Sequence, residues 1–296
     1  MDFDLDLGLT DEMLTIRDTC RRFAMDVMRP VGMRLDRMSA EAVIAADSPL
    51  WGVIEGYKGL GLGAGAQIDD PDMSAEHKAL LHCIVLEELC AGDVGIFIGC
   101  GLLNISSLIA QQFARNDLYE FFRQRDEIGC LALTEPGHGS DNVAFTEPGF
   151  RNPRIKPVLK CRRDGSNYVL NGQKAAWVSC GTIAGSGVVF AGFENSSVGL
   201  ADGAVFLLPF DLPGISKGKP LEKLGQRALN QGEIFFDQVE VPAHFMLAEG
   251  PDAYPFVWEM NLKGANLAMG QQFVGVARAA YDIALDYAKE WVQGGC

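Results

Sequence analysis

The chain lacks any arrangement of cysteines or histidines that would hold a metal ion or a disulfide framework. Its 296 residues include 8 cysteines with no CxxC pair, and 4 histidines with no HxxxH or HxxE spacing. Scattered cysteines are typical of buried, reduced thiols, and a zinc site needs closer ligand spacing. The sequence therefore predicts neither a disulfide scaffold nor a metal centre.

Positive charge and the common catalytic loops are also scarce. The formal net charge is −14, with 25 Lys and Arg against 39 Asp and Glu. Because contacts with nucleic-acid phosphates need clustered Lys and Arg, this charge argues against a nucleic acid as partner. Small anionic ligands stay possible, since backbone amides and one cation can hold them. GxxxxGK[ST] does not occur, so the chain has no P-loop. GxSxG occurs once, as GISKG at residues 214–218, but it lies among the short β-type runs and not between a strand and a helix, so the sequence predicts no nucleophile elbow.

A long uninterrupted apolar run is missing as well. The most apolar stretch, VGIFIGCGLLNISSLIAQQF at residues 94–113, is interrupted by Asn104, serines and glycines. This favours a buried helix over a membrane span. The amino-terminal MDFDLDLG is acidic and has neither the apolar core of a secretory signal nor the arginines of a transit peptide. We expect a soluble, cytoplasmic chain.

What the chain does contain begins with a helical region over residues 1–127. Thr10 can cap a helix with an acidic first turn, and Pro30 is expected to end it. Apolar residues recur at helical spacing in the rest of this region. Further helices are predicted over residues 50–61, 75–91, 97–115 and 117–125.

Short β-type runs alternate with turn residues over 128–243. The runs are CLALTEP, PVLKCRRDG, YVLNGQKAAWVSCG, GVVFAGFEN, GAVFLLPFD and EIFFDQVEVP. Asp164-Gly165 and Asn171-Gly172 are two candidate turns. This region is predicted to be a β-barrel or sandwich, because no helices intervene.

Residues 244–296 are predicted to begin a C-terminal helical bundle. Apolar residues from Leu262 to Val292 follow the 3.6-residue period of one long helix. The apolar stripe of that helix has no partner in the chain, and it consists of Phe273, Ala277, Ala280, Ala284, Ala288 and Trp291. We therefore expect an α+β multi-domain fold and an obligate oligomer, with a dimer of dimers as the preferred assembly.

The segment LALTEPGHGSDN, residues 131–142, carries the strongest local pattern. An apolar strand end is followed by Pro136 and two glycines, which prevent a strand or a helix from continuing. Glycines without side-chain bulk would let the backbone approach a flat or anionic ligand. From this segment alone, a sharp exit from a strand into a loop is an equally good interpretation.

Four stretches in a fixed order make the chain resemble the acyl-CoA dehydrogenase family. They are LALTEPGHGSDN, YVLNGQKAAWVSCG, LGQRALNQGEIFFDQVEVP and VGVARAAYDIALDYAKE, within residues 128–290. The helical first part agrees in layout but has no motif of its own. The resemblance implies an α-helical domain, a β-domain and a C-terminal four-helix bundle, with FAD in a cleft between them.

The resemblance also implies roles for individual residues. The implied FAD-binding residues are Leu131, Leu133, Thr134, Gly139, Ser140, Trp177, Val178 and Ser179. Thr134 and backbone amides near it would hydrogen-bond the isoalloxazine, and Ser140 would lie near the phosphopantetheine of the substrate. Trp177 would cover the flavin, and Ser179 would offer a hydroxyl near N5. Taken alone, Trp177 is also compatible with a core aromatic beside a turn.

The implied chemistry is the α,β-dehydrogenation of an acyl-CoA thioester. A glutamate removes the α-proton while the β-hydrogen leaves as hydride to the flavin, and hydrogen-bond donors stabilise the thioester oxygen. The implied partners are acyl-CoA, a homologous subunit or a second copy of the chain, and an electron-transfer flavoprotein as electron acceptor.

The chain departs from the family near its carboxyl end. Family members are longer, and their additional part usually carries the catalytic glutamate. Where the family often has Asp-x-x-Arg, this chain has Lys-Gly-Ala-Asn at residues 263–266. Ala265 occupies the position at which some family members place the catalytic base. The family's Arg-x-x-Phe-Gly, which reaches the neighbouring subunit's FAD, is replaced by 291–295. Glu259 is the nearest acid, but we do not expect it to be the base, so no catalytic residue is assigned within the chain.

Three interpretations of this pattern stay open. The chain can be a flavin-site subunit whose partner supplies the base, as the intact TEPGHGSD and WVSCG motifs favour. It can be a structural subunit that binds little itself, as the altered 263–266 and 291–295 favour. It can also be a fragment of a full enzyme.

Overall fold

The computed structural model describes residues 9–62, 73–251 and 253–294. The sequence patterns at MDFDLDLG, Gly295 and Cys296 lie outside the described residues. The helices before the sheet are α1 (Asp11–Phe23), α2 (Arg29–Leu35), α3 (Ala40–Val43), α4 (Pro49–Lys58), α5 (Ala75–Gly92), α6 (Val94–Gly101), α7 (Ile105–Gln112) and α8 (Asn116–Arg123). Thr10 caps α1 as predicted, since its hydroxyl accepts a hydrogen bond from the amide of Met13 at 3.2 Å.

Two sequence predictions in this helical region are wrong. Pro30 does not end the first helix, because a π-helical segment, Ala24–Met28, joins α1 directly to α2. Pro30 then falls in the first turn of α2, where its missing N–H is tolerated. The single helix predicted over 97–115 is two helices, because Asn104 adopts a left-handed conformation (φ 55°) between α6 and α7.

The strands form one mixed sheet. Their bounds are β1 (Gly129–Ala132), β2 (Lys160–Asp164), β3 (Asn167–Ser179), β4 (Ser186–Phe193), β5 (Gly203–Pro209), β6 (Ile215–Lys217), β7 (Gln231–Val241) and β8 (Met246–Glu249). The order is β6-β7-β3-β2-β4-β5-β8, and β1 pairs in parallel with β4. The short strands β6 and β8 were not predicted from the sequence.

Of the two candidate turns, one is confirmed and one is wrong. Asp164 ends β2, and Gly165 with Ser166 forms the two-residue turn that connects it to the antiparallel strand β3. Asn171 and Gly172 instead lie inside β3, where the pairing with β7 shifts register. Gly172 has φ +137°, and a Cβ there would lie 2.2 Å from the carbonyl oxygen of Val158, so glycine permits an irregularity within the strand.

The long helix α9 (Ala253–Glu290) begins nine residues before Leu262, where the sequence pattern placed its start. Pro255 does not prevent this, because it lies in the first turn of the helix, where a missing N–H is tolerated. It packs directly on α5, and a Cβ at Gly275 would lie 2.3 Å from the carbonyl oxygen of Glu87. Arg278 on α9 also forms an ion pair with the buried carboxylate of Glu88. The same carboxylate forms a second ion pair with Arg21 on α1. These contacts fix α9 against the helical region.

The described residues form two main hydrophobic cores, one beneath the sheet and one among α1 to α6. Helices, then a sheet, then a returning helix confirm the predicted α+β fold class. The domain boundaries expected after residues 127 and 243 stay predictions. No helix in the described parts of the chain is long and apolar enough to cross a membrane.

Candidate functional site

The end of β1 meets the second half of β3 through Thr134. The amide of Ala175 donates to the carbonyl of Thr134 at 3.0 Å, and the Thr134 hydroxyl donates to the carbonyl of Ala175 at 2.6 Å. The structure therefore brings the TEPGHGSD segment beside AAWVS, although 41 residues separate the two partners. The Thr134 proton is already used within the protein, and its oxygen keeps lone pairs that can accept a hydrogen bond.

A buried ion pair holds the start of this loop. Glu135 and Lys174 lie 2.7 Å apart, with side chains 3% and 1% exposed. Lys174 also donates to the carbonyl of Leu133, and the Glu135 carboxylate accepts the amides of Val158 and Leu159. Burial lowers the pKa of Lys174, while the charge of Glu135 opposes that change. The pair ties β1, β3 and the residues before β2 together.

The following turn is held by its own side chains. His138 contacts Asp141 at 2.6 Å through Nδ1 and the carbonyl of Lys156 at 2.9 Å through Nε2. Burial acts to lower the pKa of His138, but these hydrogen bonds outweigh it and leave the pKa above its ordinary value. The amide of Gly139 donates to Asp141 at 2.7 Å. These hydrogen bonds preorganise the loop that follows β1.

Space is open beside this turn. A Cβ at Gly137 or Gly139 would meet nothing within 4 Å. Ser140 is exposed and begins a short 3-10 turn over Ser140–Val143. The glycines thus leave room for another group against the backbone, as the sequence led us to expect.

Trp177 and Ser179 share one face of β3, because alternate residues of a strand point the same way. The Trp177 side chain is 59% exposed, which excludes the alternative of a core aromatic. Val178, between them, is buried in the core beneath the sheet, as is Leu133. A ligand on this face would therefore meet the side chains of Trp177 and Ser179, and only the backbone of Val178 and Leu133.

Two functional candidates were missed by sequence reasoning. Gln231, at the start of β7, donates from Nε2 to the Ser179 oxygen at 3.1 Å and to the carbonyl of Trp177 at 3.3 Å. Lys223 donates to Gln231 Oε1 at 3.1 Å and to the carbonyl of Leu229 at 2.6 Å. Burial lowers the pKa of Lys223 to about 8. The polar pair Asn230-Gln231 just before an apolar strand was the available signal.

Of the positions on α9 that the sequence singled out, only Glu259 carries a carboxylate. Residues 263–266, including Ala265, are exposed. Glu259 forms an exposed ion pair with Lys263 at 2.8 Å, one helical turn away. Within the described residues, no group of three or more His, Cys, Asp or Glu is arranged to hold a metal ion.

Comparisons with known proteins agree with the layout of the motifs. Residues 130–239 match the family model "Acyl-CoA dehydrogenase, middle domain". The mouse short-chain specific acyl-CoA dehydrogenase, mitochondrial, is 29% identical over 303 residues, which cover 96% of this chain and 64% of the mouse protein. The chain thus spans less than two thirds of the length of that relative.

Solved structures share the fold. Butyryl-CoA dehydrogenase from Megasphaera elsdenii superposes with a TM-score of 0.75 and 23% identity, covering 100% of this chain and 72% of that one. An acyl-CoA dehydrogenase complexed with FAD from Bacillus anthracis has a TM-score of 0.77 and 20% identity, covering 97% of this chain and 46% of that one.

Proposed function

Because the chain belongs to the acyl-CoA dehydrogenase family, we propose that it forms the FAD- and acyl-CoA-binding part of an enzyme that dehydrogenates acyl-CoA thioesters between Cα and Cβ. One observation carries the proposal: the exposed Trp177 and the hydroxyl of Ser179 share a strand face beside the preorganised Thr134 loop. An exposed tryptophan next to open backbone is what a flat, hydrogen-bonding ligand needs.

The residues present fit an isoalloxazine. Trp177 offers an apolar ring, Thr134 offers acceptor lone pairs and Ser179 offers a hydroxyl, while Gly139 leaves the loop backbone without side-chain bulk. When bound, FAD supplies hydride acceptance at N5. The residues of the chain orient that group and exclude water from it. Ser140, exposed at the loop, would lie beside the phosphopantetheine of acyl-CoA.

This chain has no general base at position 265, where some members of the family place it. Ala265 has no acid, and the exposed Glu259 is already paired with Lys263. We propose that a partner subunit, or sequence beyond these residues, provides the carboxylate, and that an electron-transfer flavoprotein takes up the electrons. The alternative function is that of a structural subunit that binds little itself. In that case the altered residues 263–266 would reflect the loss of catalysis. The cytoplasmic location stays a prediction.

Replacing Trp177 with alanine is expected to weaken FAD binding about 5- to 150-fold, because stacking on an aromatic ring contributes about 1–3 kcal/mol. FAD titration followed by flavin absorbance and protein fluorescence measures the change. The matched control is Trp177→Phe, which keeps a ring on the same strand face and should lose less affinity. Unchanged FAD affinity in Trp177→Ala would overturn the proposed site.

We propose that a second copy of this chain, or a homologous subunit, covers the apolar stripe on α9. All six stripe residues are exposed in the single chain: Phe273, Ala277, Ala280, Ala284, Ala288 and Trp291. A folded monomer rarely exposes so continuous an apolar surface, and a self-complementary helix contact is the common way to bury it.

Substituting Ala284→Arg should therefore dissociate the assembly, because a charge would enter the buried contact. Analytical ultracentrifugation of the variant at micromolar concentration checks this. Asp282→Arg places the same side chain half a helical turn away, off the stripe, and should leave the assembly intact. A wild-type chain that sediments as a folded monomer would refute the oligomer.

A further inference from the structure

A line of hydrogen bonds runs from the half-buried Lys223 to the ligand face of β3. Lys223 Nζ donates to Gln231 Oε1 at 3.1 Å, and Gln231 Nε2 donates to Ser179 Oγ at 3.1 Å. The same Nε2 also donates to the carbonyl of Trp177 at 3.3 Å. The amide of Leu221 donates to the carbonyl of Gln231 at 2.9 Å, and Gln231 is the direct register partner of Ser179. Strand pairing thus holds Gln231 and Ser179 side by side.

The chemistry of the three side chains gives this line one direction. An ammonium group can only donate, so the carboxamide oxygen of Gln231 must face Lys223. The carboxamide nitrogen, which also can only donate, then faces Ser179. The Ser179 oxygen therefore accepts from inside the protein, and its own proton must go elsewhere. The half-buried cation Lys223 at the far end favours this orientation of the Gln231 amide over the flipped one.

The hydroxyl proton of Ser179 remains available to a ligand on the exposed face of β3. Within residues 9–62, 73–251 and 253–294, no group accepts a hydrogen bond from this hydroxyl. Its strand face is the one on which the Trp177 ring lies 59% exposed. A ligand seated against Trp177 would therefore meet a hydroxyl that is already committed to donating.

We propose that Lys223 and Gln231 are positioning residues that fix Ser179 as a hydrogen-bond donor toward an in-plane acceptor atom of the flat ligand held at Trp177. The inference rests on the proposed function for the identity of that ligand as FAD. The hydrogen-bond line itself belongs to the protein before any ligand binds. Fixing the donor in advance lowers the ordering cost of binding.

The substitution that isolates this role is Gln231→Glu. The carboxylate has nearly the same shape and still accepts from Lys223, but it cannot donate to Ser179. The Ser179 proton would then turn inward to the carboxylate, and the hydroxyl would present a lone pair to the ligand. FAD affinity at pH 7 is expected to fall about 3- to 10-fold, the effect of one lost hydrogen bond. Ser179→Ala should lose a similar amount.

Three comparisons separate positioning from a structural role. The double variant Gln231→Glu with Ser179→Ala should bind FAD no worse than Ser179→Ala alone, because the two changes remove the same donor. Lys223→Met should weaken FAD binding, and Lys223→Arg, which keeps a cationic donor, should restore it. Losses that multiply in the double variant, or wild-type affinity in Gln231→Glu, would overturn the proposal.

The apo protein gives a readout that does not need FAD. The side-chain amide protons of Gln231, assigned by their absence from the ¹⁵N NMR spectrum of Gln231→Glu, should exchange slowly with water. They should exchange faster in Lys223→Met and in Ser179→Ala. If the wild-type chain binds no FAD, the proposed function fails, and this exchange pattern alone decides whether Lys223 positions Gln231. Equal exchange in wild type and Lys223→Met would overturn the positioning role.

Discussion

Replacing Glu135 with alanine is expected to lower the free energy of unfolding by about 3–5 kcal/mol, because it leaves Lys174 as an uncompensated buried charge. The ammonium would keep only the carbonyl of Leu133 as a partner. The amides of Val158 and Leu159 would also lose their acceptor. Chemical denaturation of the purified variant measures the change.

The chain contains a matched control for this prediction. Glu259 and Lys263 form an ion pair of nearly the same length, 2.8 Å against 2.7 Å, but their side chains are 54% and 75% exposed. Glu259→Ala should cost less than about 1 kcal/mol, since water screens an exposed pair. The double variant Glu135→Ala with Lys174→Met should recover part of the loss. Equal costs for Glu135→Ala and Glu259→Ala would contradict the importance of burial.

The unmodified chain, purified alone and supplied with FAD, is expected to oxidise acyl-CoA far more slowly than a variant with a carboxylate at position 265. Removal of a proton next to a thioester needs a base within hydrogen-bond reach of the α-carbon. General-base help is typically worth about 10²- to 10⁴-fold in rate. Ala265→Glu should therefore raise turnover of acyl-CoA with an artificial electron acceptor by about 10²-fold or more.

The control for that gain is Ala265→Gln, which has the same size but no base, and it should stay at the level of the unmodified chain. Both variants change an exposed position of α9, so neither should disturb the core. Rapid turnover by the unmodified chain without a partner would show that the base lies elsewhere in these residues. A gain shared by Ala265→Gln would show that the base is not the missing element.

Local chemistry made some parts of this fold predictable. The cap at Thr10 and the turn at Asp164-Gly165 depend on neighbours within a few residues, so the sequence revealed both. Pro30 and Gly172 were misjudged because a π-helical segment and a register shift give each a place inside a regular element. A proline or a glycine signals a break only when its surroundings do not accommodate it.

The site was half predictable for a similar reason. The motif segments around Thr134 and Trp177 contain unusual residues at short spacing, and these stand out in the sequence. Gln231 is 52 residues from Ser179 and meets it only through the register of β3 and β7. A bulge in β3 between Lys174 and Val178 changes that register, and no pattern within β3 reveals it. Contacts of this kind become visible only once the strands are paired.

The flavin site formed by β1 and β3 is tested most directly by the visible absorption spectrum of the purified protein after saturation with FAD and removal of free flavin. We expect a flavin band that stays with the folded protein in stoichiometric amount and that is shifted from the spectrum of free FAD. In Trp177→Ala this band should be strongly reduced. A folded protein that elutes without flavin after saturation, and equally so for wild type and Trp177→Ala, would contradict the claim that β1 and β3 form a flavin site.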